Sequence, residues 1–563
     1  MRRHLIASTA TALTLFLGIG ACSSGDPVVG PTTTLTGKGR TPRIDLDPRR
    51  YFEDYAVAAD EDASTGVAGP NASPTNVGAS SSSSSRSEVT PDVVEPPVVP
   101  GIDEDNTFDP SGHHRFVPTA TDARSTFGLD VDTGSFAIGR TFLTEGQRPP
   151  ADSVRTEEWV NAFGYGYPAP KQGDLGVTVD GAPAPFAEDG TQLLRIGLQG
   201  RSIADPDRPD ANLTFVVDVS GSMDIRERLG LVKASLALLV LNLRDTDTLS
   251  IVTYSDEAAV LLPPTAVRDA KRIVAAIDEL QPSNSTNMEA GLRQGYAQAK
   301  ASFRPNAINT VILASDGVAN VGDTGKGSLS DLIHQEGLEG VRLVTVGFGM
   351  GNYNDALMEA LADRGDGFYS YVDTFAEAER LFTRELTPTL TVIADDAKAQ
   401  VTFDPLMVES YRLLGYENRD LADEQFDDDT VDAGELGAGH TVTALYELHL
   451  TAAAEDADAG AVGSVALRYG STAAGKVVAT TTPISLAAFA PTFAAAPANL
   501  LLAGTVAAFA GYLGDDPQAA ERGVTLAGLA TLARGLEAPP ATDGRATAAD
   551  LAALIDQARR ADD

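Results

Sequence analysis

Asp218, Ser220 and Ser222 alternate along one short stretch, Asp218-Val-Ser-Gly-Ser-Met223. In an extended loop alternate side chains point to one side, so three oxygen donors converge. Two further donors stand well downstream: Thr286 in Ser283-Asn-Ser-Thr-Asn287, and Asp316 in Ser315-Asp-Gly317. The set holds carboxylates and hydroxyls, with neither histidine nor cysteine. Oxygen-only sets select hard cations, Mg²⁺ first and Mn²⁺ or Ca²⁺ as alternatives, over Zn²⁺ or Cu²⁺. Hydroxyl donors bring no charge, so an octahedral ion held this way keeps a position for a carboxylate from a ligand.

The sequence around these residues supplies elements able to bring them together. Leu213-Thr-Phe-Val-Val217 is a near-continuous apolar run, as a strand covered on both faces requires. A helix follows through Leu229, Val232, Leu236, Leu239 and Val240. Strands are expected at 249–254, at an edge near 260–262, and at 310–314, 342–348 and 368–372. Helices are expected at 267–280, through Leu292 and Tyr296, at 355–363 and at 375–386. This alternation predicts an α/β fold, a doubly wound, mostly parallel sheet with helices on both faces. Asp218, Thr286 and Asp316 then fall at the strands' carboxyl ends, where such sheets bind ligands.

At these five positions the chain resembles the metal-ion-dependent adhesion site of von Willebrand factor type A domains. The resemblance implies direct metal contact from Ser220, Ser222 and Thr286, with Asp218 and Asp316 acting mainly through water. It also implies a protein partner that presents an acidic side chain to the metal. Ser125 to Phe136, Pro149-Pro150 and Glu157-Glu-Trp-Val-Asn161 are similar to the accessory region of bacterial lipoproteins of this family. Tyr411 to Asn418, Asp432-Ala-Gly-Glu435 and Gly439 to Tyr446 resemble that group's C-terminal domain of unknown function.

The amino terminus reads as an address. Arg2 and Arg3 precede a mostly apolar stretch, Leu5 to Leu17, too short to span a bilayer. Ile19-Gly-Ala-Cys22 resembles the bacterial lipobox, and Cys22 is the only cysteine in the chain. The expectation is a signal peptide at 1–21 and lipid on Cys22. The protein would then be exported and anchored to a bacterial membrane, on the non-cytoplasmic face of the cell envelope. Residues 22–108 read as a disordered Ser/Pro-rich tether, with a pure serine run at Ser80–Ser85. Ile44, Leu46, Tyr51, Phe52 and Tyr55 form an apolar patch inside it, either a short docking segment or plain tether.

The remaining boundaries follow from pattern changes. Residues 109–208 read as an accessory region of two helices plus strands. Asp132 or Thr133 is expected to cap the first helix, and Asp152 or Ser153 the second, which carries Trp159. The type A domain is 209–386. Residues 387–490 alternate with period two and read as a β-rich, sandwich-like domain. Strands on both sides of the type A domain invite one joint sheet with that domain inserted between them. Residues 491–563 read as C-terminal helices, at 498–513, 519–532 and 548–561. Val477 to Gly514 carries no charge, yet its prolines favour a buried helix over a membrane span. Asp427-Asp-Asp429 with Asp432 offers either a Ca²⁺ loop or a solvated acidic turn.

Composition excludes several classes. The chain has 563 residues, a formal net charge of −37, 43% hydrophobic and 21% charged residues. That balance supports folded domains and disfavours nucleic acid as a partner. No HExxH, no G-x-S-x-G elbow and no P-loop is present. Gly347-Phe-Gly-Met-Gly351 lacks the third glycine spacing of a dinucleotide turn and reads as a glycine-rich βα turn. The expected function is therefore a lipid-anchored binding module, not an enzyme. The alternative is an envelope scaffold or assembly factor in which the metal is only structural.

Overall fold

A computed structural model describes residues 44–55, 106, 108, 112–283, 285–317, 328–350, 354–385, 390–455, 457, 459–536 and 545–562. Cys22, the signal segment and most of the tether lie outside the described residues.

The apolar run around Val216 forms the strand Ala211–Asp218, buried at every position. It lies at the centre of a six-stranded sheet. From edge to edge the strands are Tyr369–Val372, Arg342–Phe348, Ile308–Ser315, Ala211–Asp218, Thr248–Tyr254 and Ala258–Ala266. All neighbours pair in parallel except the last, an antiparallel edge strand. Register sets Asp218 opposite Tyr254 on one side and Val217 opposite Ala314 on the other. Two of the three donor loops thus leave adjacent strands at the same end. The helix Leu231–Asn242 is buried almost all round, as its continuous apolar sequence demands.

The segments before and after this sheet interleave. One five-stranded antiparallel sheet runs Val117–Pro118, Val408–Leu414, Thr441–Leu450, Gln192–Gly200, Leu175–Pro183. A second sheet runs Asp420–Leu421, Arg124–Gly128, Val392–Phe403, Ala461–Ser471, Lys476–Ser485. Each mixes strands from both flanks of the central domain, so the α/β unit is an insertion in one β framework. Phe127, Leu194, Ile196, Val401, Phe403 and Tyr446 fill the apolar core of this framework. A third core gathers Gly134–Thr144, Thr156–Asn161 and the C-terminal helices Ala498–Leu513, Leu526–Arg534 and Ala548–Asp562. Trp159 is fully buried there, edge-on to Phe136 and Phe509 at 5.3 and 5.6 Å. Among the described residues no helix is long and apolar enough to cross a membrane.

Several local expectations are corrected. Thr133 stands at the first helix's N-cap without a side-chain bond, and Asp132 instead accepts from the Tyr369 amide at 3.0 Å. A 3₁₀ turn, Ala151–Ser153, takes up the residues expected to cap the second helix, which starts at Thr156. The expected helix 375–386 is α-helical only over Phe375–Glu379 and continues as a π turn. The expected helix 519–532 is two pieces, Pro517–Glu521 and Leu526–Arg534, separated at Gly523, whose φ is +64°. The helix Ser328–Leu338 was not foreseen.

The apolar patch in the tether is docked. Arg49–Glu53 forms a short helix, and Ile44, Leu46, Phe52 and Tyr55 pack with buried Tyr51 against the core of the central domain.

Candidate metal centre

Asp218 ends its strand with no exposed surface. Its Oδ1 accepts the Ser220 amide at 2.9 Å, which folds the chain back at the strand end. Its Oδ2 accepts the Tyr254 hydroxyl at 3.0 Å and the Ser315 hydroxyl at 2.9 Å. Asp218 is thereby held from both neighbouring strands. Ser220 Oγ and Ser222 Oγ lie 3.1 Å apart on the following turn, so the alternation Asp218-x-Ser220-x-Ser222 does bring two hydroxyls together. Gly221 is exposed and Ser222 half-buried, which leaves this turn open to solvent.

The second loop is fastened to the first. The Ser283 amide donates to Val219 O at 2.5 Å, and the Asn287 amide to Ser255 O at 2.7 Å. Between them Thr286 is buried, at 2% exposure. Asn287 then caps the helix Met288–Ala301, accepting from the Ala290 amide at 3.1 Å. The third loop follows Ser315. Asp316 is fully buried, and Gly317 turns the chain at φ +81°, where an added Cβ would meet the Asn354 amide at 2.8 Å.

One residue at this centre was missed from sequence. Arg228 is fully buried and donates from Nη1 to Asp316 Oδ2 at 2.8 Å. The same nitrogen reaches Ser222 O at 2.8 Å, and Nη2 reaches Met350 O at 2.6 Å. Arg228 sits in the π turn Arg226–Gly230. A π turn often marks a functional site. The glycine-rich turn after Arg342–Phe348 makes room for it: a Cβ on Gly349 would lie 2.5 Å from Arg228 Cγ. The turn expected only as a βα connection is thus the cradle of this arginine. Its sequence signal, an Arg beside the apolar Leu229 and Val232, reads equally well as a surface charge.

With both carboxylates ionised, as a bound cation would hold them, two carboxylates and one guanidinium leave the centre with one net negative charge. Burial and the nearby Asp316 push the Asp218 carboxyl up to about 7. Like charges held together on buried side chains favour a cation between them, and the donors are all oxygen, so the residues fit a hard divalent ion. Ser220, Ser222 and Thr286 are the available hydroxyls, with Asp218 and Asp316 behind them.

The tract Asp427-Asp-Asp429 is spent otherwise. Asp429 pairs with Arg468 at 2.8 Å, and Asp428 accepts from Thr430. Asp432 instead faces Asp366 and Glu435, with one carboxylate oxygen of each within 4.8 Å of the others. Beside the metal centre a buried ion network joins the framework to the inserted domain. Arg155 contacts Glu158, Asp355 at 2.6 Å and Glu359 at 3.4 Å. Arg419 contacts Asp363 at 2.8 Å and Asp130 at 3.4 Å. Asp355 opens the helix capped by Asn354, the residue against which Gly317 packs.

Family models match three stretches of the chain. The family model described as von Willebrand factor type A domain matches residues 212–384. One described as von Willebrand factor matches 102–195, and one described as YfbK, C-terminal, matches 388–560. The Escherichia coli protein YfbK is 42% identical over 334 residues, 58% of this chain and 58% of its own length. A Synechocystis protein is 28% identical over 201 residues, 36% of this chain and 46% of its own. The chain thus spans about half the length of these curated relatives. A solved von Willebrand factor type A structure from Catenulispora acidiphila aligns with 70% of this chain and 96% of its own at 16% identity and a TM-score of 0.38. Residues 212–384 are a von Willebrand factor type A domain, carried in a YfbK-like chain.

Proposed function

We propose that this von Willebrand factor type A domain protein is a metal-dependent binding module, lipid-anchored through Cys22 to a bacterial membrane on the non-cytoplasmic face of the cell envelope. Domains of this family commonly mediate protein binding and generally hold a divalent metal. The observation that carries the reading is the charge at the three loop ends. Asp218 and Asp316, less Arg228, leave one negative charge on a turn open at Gly221 and Ser222. A divalent cation there leaves one positive charge, which a single carboxylate from a partner neutralises. Mg²⁺ suits the all-oxygen donors, with Mn²⁺ or Ca²⁺ as alternatives. When bound, the ion supplies an electrostatic bridge to that carboxylate. The chain's own residues fix the hydroxyls: Asp218 orders the Ser220 turn, and Tyr254 and Ser315 hold Asp218. The strongly acidic body favours a partner that sets one exposed carboxylate in a basic surround.

The test is capture of cell-envelope proteins on the immobilised full-length chain, with Mg²⁺ or with chelator, beside Asp218→Ala. A protein retained only with Mg²⁺ and only by wild type supports the reading. Retention unaffected by chelator contradicts it. Mass spectrometry of the mature N-terminus tests the anchor: a diacylglycerol adduct on Cys22 is expected, and an unmodified thiol refutes it.

A second reading is favoured by the Arg155 and Arg419 network, which ties framework and insertion together. In it the protein is an envelope scaffold, and the metal only braces loops. Asp218→Ala then lowers the melting temperature and leaves partner contacts intact.

A further inference from the structure

Residues 44–55 lie across the central domain beside the metal centre. Tyr51 OH donates to Asp278 Oδ1 and Tyr55 OH to Asp224 Oδ1, both at 2.7 Å. Phe52 stacks under the Arg226 guanidinium at 4.9 Å and meets the Phe375 ring at 6.4 Å. The Arg49 guanidinium lies over the Phe375 ring at 4.3 Å. Gly230 gives the close approach: a Cβ there would lie 3.3 Å from Tyr51 O and from Tyr55 Cγ.

Two features make this contact releasable. Among the described residues the backbone of 44–55 makes only local backbone hydrogen bonds, Tyr51 N to Pro48 O and Asp54 N to Arg50 O. Among the described residues it adds no strand to any of the three sheets and no turn to a long helix, so side-chain contacts hold it. The chain that follows, residues 56–100, keeps a departed segment covalently joined to the rest of the protein, so it is not lost by dilution.

The place of the contact gives it a consequence. Arg226 and Gly230 are the two ends of the π turn that carries Arg228. Asp224, the partner of Tyr55, follows the Ser220–Ser222 turn by two residues. The segment therefore pins both the donor turn and the arginine that neutralises Asp316. We propose that residues 44–55 are a detachable strap that holds Arg228 against Asp316 and so keeps the metal centre at low cation affinity. Its displacement by a partner taking the same aromatic groove frees the π turn, loosens the Arg228–Asp316 pair so that Asp316 can turn to the cation, and raises affinity for the divalent ion, while the guanidinium stays in the centre and keeps its charge there. This rests on the metal-centre reading above. Coupling of this kind is reciprocal, so cation binding also loosens the strap.

The experiment uses the full-length chain and its Tyr51→Ala/Phe52→Ala variant. Hydrogen exchange of 226–243 without metal reports strap release, and calorimetry with Mg²⁺ alone reports affinity. The expected result is faster exchange together with affinity raised about 5-fold or more, the lower end of ordinary coupling between sites. A synthetic peptide of residues 44–55 added to the variant is expected to restore the wild-type affinity. Faster exchange with unchanged Mg²⁺ affinity overturns the coupling and leaves the metal centre standing. Unchanged exchange overturns the strap. Mg²⁺ binding by neither chain overturns strap and metal centre together. Should the double variant not fold, Tyr55→Phe, which deletes only the bond to Asp224, is expected to raise affinity in the same direction. No rise there is equally a refutation.

Discussion

Replacing Arg228 by Gln removes the charge beside Asp316 and leaves a polar but shorter side chain. Both partners are fully buried, at 2.8 Å. Breaking a buried pair by neutralising one member costs about 3–5 kcal/mol, because the other charge is stranded. Gln leaves a polar group in the site and the turn is open to solvent at Gly221, so the lower figure applies. In a domain of this size ~1 kcal/mol corresponds to a shift of about 2–4 °C in melting temperature. The variant is therefore expected to melt about 6–12 °C below wild type in chelator. A divalent cation supplies the missing positive charge. Binding at about a hundred times Kd adds roughly 2.7 kcal/mol to any chain that holds the ion. It adds more to the variant, whose Asp316 has lost its arginine. Differential scanning calorimetry with chelator and with Mg²⁺ should show the deficit shrinking to less than half when metal is present. An equal deficit in both conditions would refute the placement of Arg228 in the metal centre's electrostatics.

Three further outcomes follow from named contacts. Gly349→Ala places a methyl at φ +74°, 2.5 Å from Arg228 Cγ, so it should reproduce the Arg228→Gln calorimetric pattern; a wild-type pattern would show that the cradle yields. Glu157 is buried with neither carboxylate oxygen hydrogen-bonded among the described residues, and burial, with Glu417 and Glu158 nearby, pushes it well above the usual carboxylate range. The fold thus binds a proton there that the unfolded chain releases near pH 4.5, a cost that grows by up to ~1.4 kcal/mol per pH unit above that value. Glu157→Gln should stabilise more at pH 8 than at pH 5 in thermal melts, and an equal effect at both would contradict the buried neutral acid. Residues 387–490 expressed alone should not fold, because Arg124–Gly128 pairs between Val392–Phe403 and Asp420–Leu421. A dispersed amide spectrum from that fragment would contradict the shared framework.

The sheet and most of its helices were legible because strands covered on both faces write long apolar runs. Leu213–Val217 and Arg342–Phe348 are examples. The strap was half legible: Tyr51, Phe52 and Tyr55 stand out among charges, but nothing local says that Asp224, Asp278 and Phe375 await them. Asp132 looked like a helix cap because capping chemistry is local, whereas the amide it serves belongs to Tyr369, far along the chain. Of the centre, the five oxygen donors were legible because their types and spacing carry the chemistry themselves. Arg228 was not, since its role is set by a glycine turn more than a hundred residues later and by burial, neither of which marks the residue itself.

The most direct test of the account is a calorimetric titration of Mg²⁺ into the full-length chain beside Asp218→Ala. The account predicts saturable one-site binding by wild type, lost in the variant while the fold survives. Wild type that binds no Mg²⁺, Mn²⁺ or Ca²⁺, or an Asp218→Ala chain that binds as well as wild type, would contradict it.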